Sequence, residues 1–276
     1  MANPLITVEE LKDILGNEDM RVVDCRWYLG NPDGGSSAYH EGHIQGAMFA
    51  SLDTELSGDV GPGRHPLPSP DDFAKFLARL GISPSTTVVT YDDRGGAVAS
   101  RLWWMLTDQG HKRTSVLDGG IQAWISDGQA LATDEGQPQV GTFRTRPWRD
   151  IVDRRAVVSR KDNALLIDAR ALERYRGEEE PVDPKAGHIP GAISLPQTGN
   201  LADELTFLPP GVLRSRFANI GITGRDTVIS HCGSGVTACH NILAMEVAGI
   251  RRPLLYVGSW SDWSSTDLPV ATGQQP

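Results

Sequence analysis

Short apolar runs rich in β-branched residues alternate along this chain with longer stretches whose apolar positions recur at helical spacing. Arg21-Val22-Val23-Asp24 and Thr87-Val88-Val89-Thr90-Tyr91 read as buried strands. Between them, Pro70-Asp71-Asp72-Phe73-Ala74-Lys75-Phe76-Leu77-Ala78-Arg79-Leu80 carries apolar side chains at helical intervals, and the proline and acids mark its start. The same order returns later, with Leu165-Leu166-Ile167-Asp168 and Thr227-Val228-Ile229-Ser230 as strands and Pro210 to Phe217 as the helix. Alternation of this kind predicts an α/β fold, a mostly parallel sheet flanked by helices. Ligands in such folds gather at the carboxyl ends of strands, which directs attention to the residues after Tyr91 and after Ser230.

The two halves match residue by residue as well as in pattern. Gly42-His43-Ile44-Gln45-Gly46-Ala47 recurs as Gly187-His188-Ile189-Pro190-Gly191-Ala192, 145 residues later. Val22-Val23-Asp24-Cys25-Arg26 matches Leu166-Ile167-Asp168-Ala169-Arg170 at an offset of 144. Leu80-Gly81-Ile82 matches Ile220-Gly221-Ile222 at 140, and Leu117-Asp118-Gly119-Gly120 with Trp124 matches Tyr256-Val257-Gly258-Ser259 with Trp263 at 139. Four blocks in one order mean two copies of a domain rather than a solenoid of short repeats. A length of 276 residues suits two domains. The expected division is 1–140 and 150–276, with a seam near 135–150 where Glu135-Gly136-Gln137-Pro138 is polar and rich in breakers.

Composition narrows the partners. An apolar fraction of 39% with 22% charged residues is that of a globular chain able to build a core. Lys+Arg 26 against Asp+Glu 35 gives a net charge of −9, which argues against nucleic acid or an anionic membrane surface. No apolar run approaches the ~18 residues of a membrane span. The start, MANPLITVEELKDIL, lacks a basic stretch followed by an apolar one and does not read as a signal peptide. Three cysteines make no disulfide framework, so a cytoplasmic protein is expected.

After the strand of the second copy the chain reads His231-Cys232-Gly233-Ser234-Gly235-Val236-Thr237-Ala238-Cys239-His240. Glycines at 233 and 235 let the backbone curl so that successive N–H groups point at one spot, backed by the start of a helix. A sulfur at that spot is expected to be stabilised as an anion, either a nucleophilic thiolate or a persulfide. Other readings compete. Cys232 can be an inert buried thiol. Gly233 to Ala238 formally matches the dinucleotide pattern G-x-G-x-x-A, but no acid ends the next strand, Leu254-Leu255-Tyr256-Val257. His231, Cys232, Cys239 and His240 lack zinc spacing, so no metal is expected; Cys239 is expected two turns into the helix. A thiol phosphatase would need an arginine closing the loop, and none lies between 232 and 250. In the first copy Asp92 stands opposite Cys232, in Tyr91-Asp92-Asp93-Arg94-Gly95-Gly96, so only the second copy can react through a thiol.

From Asp24-Cys25-Arg26-Trp27-Tyr28-Leu29 to Gly258-Ser259-Trp260-Ser261-Asp262-Trp263, the chain resembles a tandem-domain sulfurtransferase of the rhodanese superfamily. Its loop Cys232-Gly233-Ser234-Gly235-Val236-Thr237 is similar to the 3-mercaptopyruvate branch, since basic residues of the thiosulfate branch are here Gly233 and Ser234. The resemblance implies two tandem rhodanese-like domains, the first non-catalytic and the second catalytic, with no cofactor. It implies that Cys232 takes sulfane sulfur from a small anionic donor, 3-mercaptopyruvate or thiosulfate, and passes it to cyanide, a thiol or thioredoxin. It groups Ser234 with His65 and Asp53, a trio in which a carboxylate orients an imidazole and the imidazole moves a proton. It gives Arg174 the donor's anionic group and makes Gly233, Gly235, Val236 and Thr237 the cradle. Where that branch has a second arginine, nine residues after Arg174, this chain has Asp183, so either the clamp on the donor's carboxylate is incomplete or Arg176 or Lys185 replaces the missing arm. His43 and His188, present in both copies, read as structural. A sulfur-binding or regulatory module without turnover is the alternative function.

Overall fold

The computed structural model describes residues 3–136, 138–161, 163–224 and 226–276. Gln137, within the expected seam, lies outside the described residues.

The chain forms two compact units. The first comprises 1–58, 68–149 and 203–207; the second comprises 59–67, 150–202 and 208–276. A single cut near 140–150 therefore does not describe them: the nine-residue stretch that includes His65 belongs to the second unit, and a short piece of the second half belongs to the first.

In the first unit, strands β1 (Leu5–Ile6), β2 (Met20–Asp24), β3 (Met48–Phe49), β4 (Thr87–Tyr91) and β5 (Thr114–Leu117) form a sheet of order β1-β5-β4-β2-β3. Every pairing in it is parallel. Helices α1 (Val8–Ile14), α2 (Gly34–Glu41), α3 (Pro70–Arg79), α4 (Ala99–Asp108) and α5 (Gly120–Ser126) complete it. Local chemistry sets their ends. Thr7 and Glu10 cap α1 reciprocally, and the Ser69 hydroxyl accepts from the Asp72 amide ahead of a proline at the first turn of α3. Central strand residues Val22 and Val89 pack with Ile44, Leu117 and Trp124 in the core.

The second unit repeats this plan. Strands β6 (Ile151–Val152), β7 (Ala164–Asp168), β8 (Ala192–Ser194), β9 (Thr227–His231) and β10 (Leu254–Tyr256) are ordered β6-β10-β9-β7-β8, again all parallel. Helices α6 (Arg154–Val158), α7 (Leu172–Arg176), α8 (Pro210–Ala218), α9 (Ala238–Val247) and α10 (Ser259–Ser264) accompany them. Leu166, Ile229, Ile189, Tyr256 and Trp260 fill its core. Each unit is thus an α/β domain around a five-stranded parallel sheet, with β4 or β9 at its centre.

The repeated Gly-His-Ile motif is structural in both units. His43 stacks on Tyr39 at 4.0 Å between ring centroids, and its Nδ1 and Nε2 lie 2.8 Å and 3.0 Å from the carbonyl oxygens of Tyr39 and Asp134. His188 stacks on Tyr175 at 3.8 Å and meets the Tyr175 and Gln275 carbonyls at 2.8 Å and 3.1 Å. Both rings are fully buried, each set between two main-chain carbonyls and against a tyrosine ring.

Candidate active site

Strand β9 is buried from Val228 onward and delivers Cys232 at its carboxyl end. The loop that follows remains outside the helix until Ala238, so Cys239 lies in the first turn of α9 rather than two turns in. Gly235 causes this. Its φ is +77°, and a Cβ there would fall 2.5 Å from the Val257 carbonyl oxygen, so only glycine fits. The Gly235 N–H donates to Cys232 Sγ at 3.1 Å. Cys232 is 2% exposed, and Cys25 and Cys239 are fully buried; all three are free thiols.

The start of α10 holds the cysteine's own peptide groups. The Cys232 N–H donates to Ser259 Oγ at 3.1 Å, and the Ser259 hydroxyl donates to the Tyr256 carbonyl at 2.8 Å. Trp260 and Ser261 N–H groups donate to the carbonyls of Cys232 and Gly233 at 2.9 Å and 2.8 Å. With those carbonyls turned toward α10, the loop's inner side is left to N–H groups. Ser259 holds this position at φ +54°, a left-handed conformation for a residue with a side chain.

The first unit shows what such a loop binds. At the position matching Cys232, Asp92 is 1% exposed, and its Oδ1 accepts from the amides of Arg94 and Gly96 at 2.8 Å and 2.9 Å. Its Oδ2 accepts from Val98 and Ala99 at 2.7 Å and 2.9 Å. The curl of main-chain donors after this central strand is an anion nest, and in the first unit a carboxylate of the chain itself fills it.

Beneath Cys232, Asp168 and Arg170 are joined by a bidentate ion pair, with Arg170 Nη2 at 2.6 Å from Asp168 Oδ2, matching Arg26 and Asp24 in the first unit. Burial opposes ionisation of the Asp168 carboxyl, but His231 and the charge and hydrogen bonds of Arg170 bring it down to about 2. His231 is fully buried, its Nε2 3.7 Å from Asp168 Oδ2, and burial pushes its pKa below the ordinary histidine value.

Around the loop, His65 Nδ1 lies 2.7 Å from Ser234 Oγ, both residues buried. The stretch 59–67 brings His65 there, tied by the Arg64 N–H donating to Ser261 Oγ at 3.1 Å. Asp53, the third expected member, lies exposed in the first unit, where its Oδ2 accepts from Trp27 Nε1 at 2.8 Å. Arg174 on α7 bonds Glu180 at 2.6 Å and Asp183 at 3.0 Å. A Cβ on Gly233 would lie 3.5 Å from Arg174 Nη1, which puts that guanidinium beside the loop. Val236 is buried, and Thr237 stands at the N-terminal boundary of α9 without a side-chain capping bond.

The substitutes expected for a second arginine lie elsewhere. Arg176 Nη1 is 3.8 Å from Glu178, and Lys185 donates to the Thr266 carbonyl. The residue that sequence reasoning missed is Arg64, which pairs with Asp183 and whose Nη2 would stand 3.1 Å from a Cβ on Gly233. Its only signal in the sequence is adjacency to His65.

The rhodanese-like domain model matches the chain twice, over residues 7–127 and 155–266, and the chain belongs to this family. It is 44% identical, over 98% of both chains, to a probable 3-mercaptopyruvate sulfurtransferase of Pseudomonas aeruginosa. It is 40% identical to SseB of Mycobacterium tuberculosis, a putative thiosulfate sulfurtransferase, over 98% of this chain and 97% of that one. The crystal structure of SseA from Escherichia coli, a 3-mercaptopyruvate sulfotransferase, superposes with a TM-score of 0.83 at 29% identity, covering 94% of this chain and all of SseA. The chain's class is accordingly sulfurtransferase. Among the described residues no helix is long and apolar enough to cross a membrane.

Proposed function

We propose that the second unit carries sulfane sulfur on Cys232, taking it from 3-mercaptopyruvate or thiosulfate and handing it to cyanide or a thiol, including the thiol of a thioredoxin. The observation that carries this reading is the N–H of Gly235 on Cys232 Sγ, in a loop whose counterpart binds the Asp92 carboxylate through four amides. A persulfide is an anion one S–S bond, about 2 Å, longer than a thiolate, and suits the same donors.

With thiosulfate, the Cys232 thiolate attacks the outer sulfur, an S–S bond forms as the donor's S–S bond breaks, and sulfite leaves with the electron pair. With 3-mercaptopyruvate, the C–S bond breaks instead. Its electron pair stays on carbon as pyruvate enolate, and the donor's thiol proton ends on that carbon, giving pyruvate and the Cys232 persulfide. In this reading Ser234 and His65 move that proton, a role their 2.7 Å hydrogen bond supports, and Asp53 is the expected orienter of the imidazole. Arg174 receives the donor's anionic group. Acceptor attack on the outer sulfur then returns the Cys232 thiolate. Three free thiols suit a reducing compartment, as the cytoplasm is.

Weighing the intact protein after incubation with each donor tests the reading. One added sulfur atom, removed by cyanide and absent in Cys232→Ser, is expected. No mass gain from either donor would overturn it; a gain without steady-state turnover to cyanide would favour a sulfur-binding module.

A further inference from the structure

Two guanidinium groups from distant parts of the sequence meet over Gly233, the residue next to the sulfur. Arg64 arrives from the 59–67 stretch and Arg174 from α7, and a Cβ on Gly233 would lie 3.1 Å from Arg64 Nη2 and 3.5 Å from Arg174 Nη1. One carboxylate braces both. Asp183, its side chain 2% exposed, takes Arg64 Nη1 on Oδ1 and Arg174 Nη2 on Oδ2 at 3.0 Å. Glu180 takes the remaining edge of Arg174, its Nε at 3.3 Å and Nη2 at 2.6 Å. This leaves Arg64 Nη2 and Arg174 Nη1 without a hydrogen-bond partner among the described residues, and both lie beside Gly233.

We infer that Arg64 is the second anion-binding arm of the donor site and that Asp183, shared between Arg64 and Arg174, sets its preference for a monoanionic carboxylate over a dianion. The inference rests on the donor reading above. Forked donors in a fixed plane suit two oxygens of one acid group. The brace has an electrostatic side as well. A buried negative charge behind two arginines repels whatever anion they bind, and that repulsion scales with ligand charge. 3-Mercaptopyruvate presents one carboxylate charge and thiosulfate presents two, so Asp183 penalises thiosulfate more. In the first half, by contrast, the residue after the central anion is Asp93, whose Oδ2 accepts from the Tyr28 hydroxyl at 2.5 Å.

The test is KM and kcat for both donors in the wild type, Arg64→Ala, Arg64→Lys and Asp183→Asn, with thermal unfolding of each. Arg64→Ala is expected to raise KM for either donor about tenfold or more, with KM moving far more than kcat, as for loss of a charge-assisted bond. Arg64→Lys restores part of this, because an ammonium cannot serve Asp183 and the donor from one fork. Asp183→Asn, nearly isosteric, is expected to lower KM for thiosulfate several times more than KM for 3-mercaptopyruvate. If Arg64 only ties down its loop, Arg64→Ala lowers kcat and melting temperature at unchanged KM, and Asp183→Asn weakens both donors alike; either result overturns the inference. Should Arg64→Ala fail to fold, the Lys and Asn variants carry the comparison. A wild type that gains no sulfur from either donor fails at the earlier step, and the donor reading falls first.

Discussion

His65 Nδ1 and Ser234 Oγ are 2.7 Å apart although 169 positions separate them in the chain. Both side chains are buried, so neither exchanges freely with water as its partner. The two donors make different demands on this pair. Sulfur release from 3-mercaptopyruvate requires a proton to reach carbon, whereas release of sulfite from thiosulfate requires none. Ser234→Ala and His65→Gln should therefore lower turnover of 3-mercaptopyruvate by about 10²-fold and that of thiosulfate much less. Steady-state rates with both donors decide it; equal losses would remove the proton-transfer role.

Ser259 should separate hydroxyl from backbone. At φ +54° a serine is strained by roughly 1 kcal/mol, and the matching residue of the first unit is Gly120, at φ +58°. Ser259→Gly relieves that strain but leaves the Cys232 N–H without its acceptor, while Ser259→Ala keeps the strain and loses the acceptor. Chemical denaturation should find the Gly variant more stable than the Ala variant by about 1 kcal/mol. Both should turn over severalfold more slowly than the wild type, because the peptide that aims the sulfur is loosened. An Ala variant as stable as the Gly variant would contradict the strain argument.

Asp92 is a stability residue by the same loop geometry that surrounds Cys232. Four amides, three of them buried, lose their acceptor charge in Asp92→Ala, and an unsatisfied buried donor costs about 1–3 kcal/mol. Asp92→Ala should lower the stability of the first unit by about 3 kcal/mol or more, read as a shift in denaturation midpoint. Sulfur loading of Cys232 per folded molecule should be retained. A variant of wild-type stability would mean that water replaces the carboxylate without loss.

Stability should also fall on mild acidification. Burial lowers the His231 pKa from its ordinary 6.5, so below that value the unfolded chain binds more protons than the folded one and stability declines as pH drops. His111 in the first unit is shifted the same way, again by burial. Melting temperatures should be level above about pH 7 and decrease below about 6.5. Tyr91 occupies the matching place in the first sheet, its hydroxyl donating to Asp24 Oδ2 at 2.8 Å. His231→Tyr should make the decline shallower; an unchanged slope would exonerate His231.

Much of this was legible in the sequence because it is local. The β-branched runs at 87–91 and 227–231 fixed the central strands, and Gly235 after Cys232 fixed the turn that aims an amide at sulfur. The trade of Cys232 for Asp92 could be read from the internal repeat alone. Arg64 could not. Its importance depends on the 59–67 stretch joining the second unit, a long-range packing event with no periodicity or motif to announce it. Along the sequence, Arg176 and Lys185 are the cations nearest the missing arginine, and their side chains lie against Glu178 and Thr266 instead. The residue at 183 looked like a loss of charge and turns out to be the group that holds two charges together.

The occupied nest of the first unit has a stoichiometric consequence. Because Asp92 is bonded permanently where a sulfur anion would otherwise lodge, the duplicated half offers no berth to stray polysulfide or sulfite. Under the Cys232 reading proposed above, a chain with two copies of the fold ferries one atom per cycle, and its cargo has a single address.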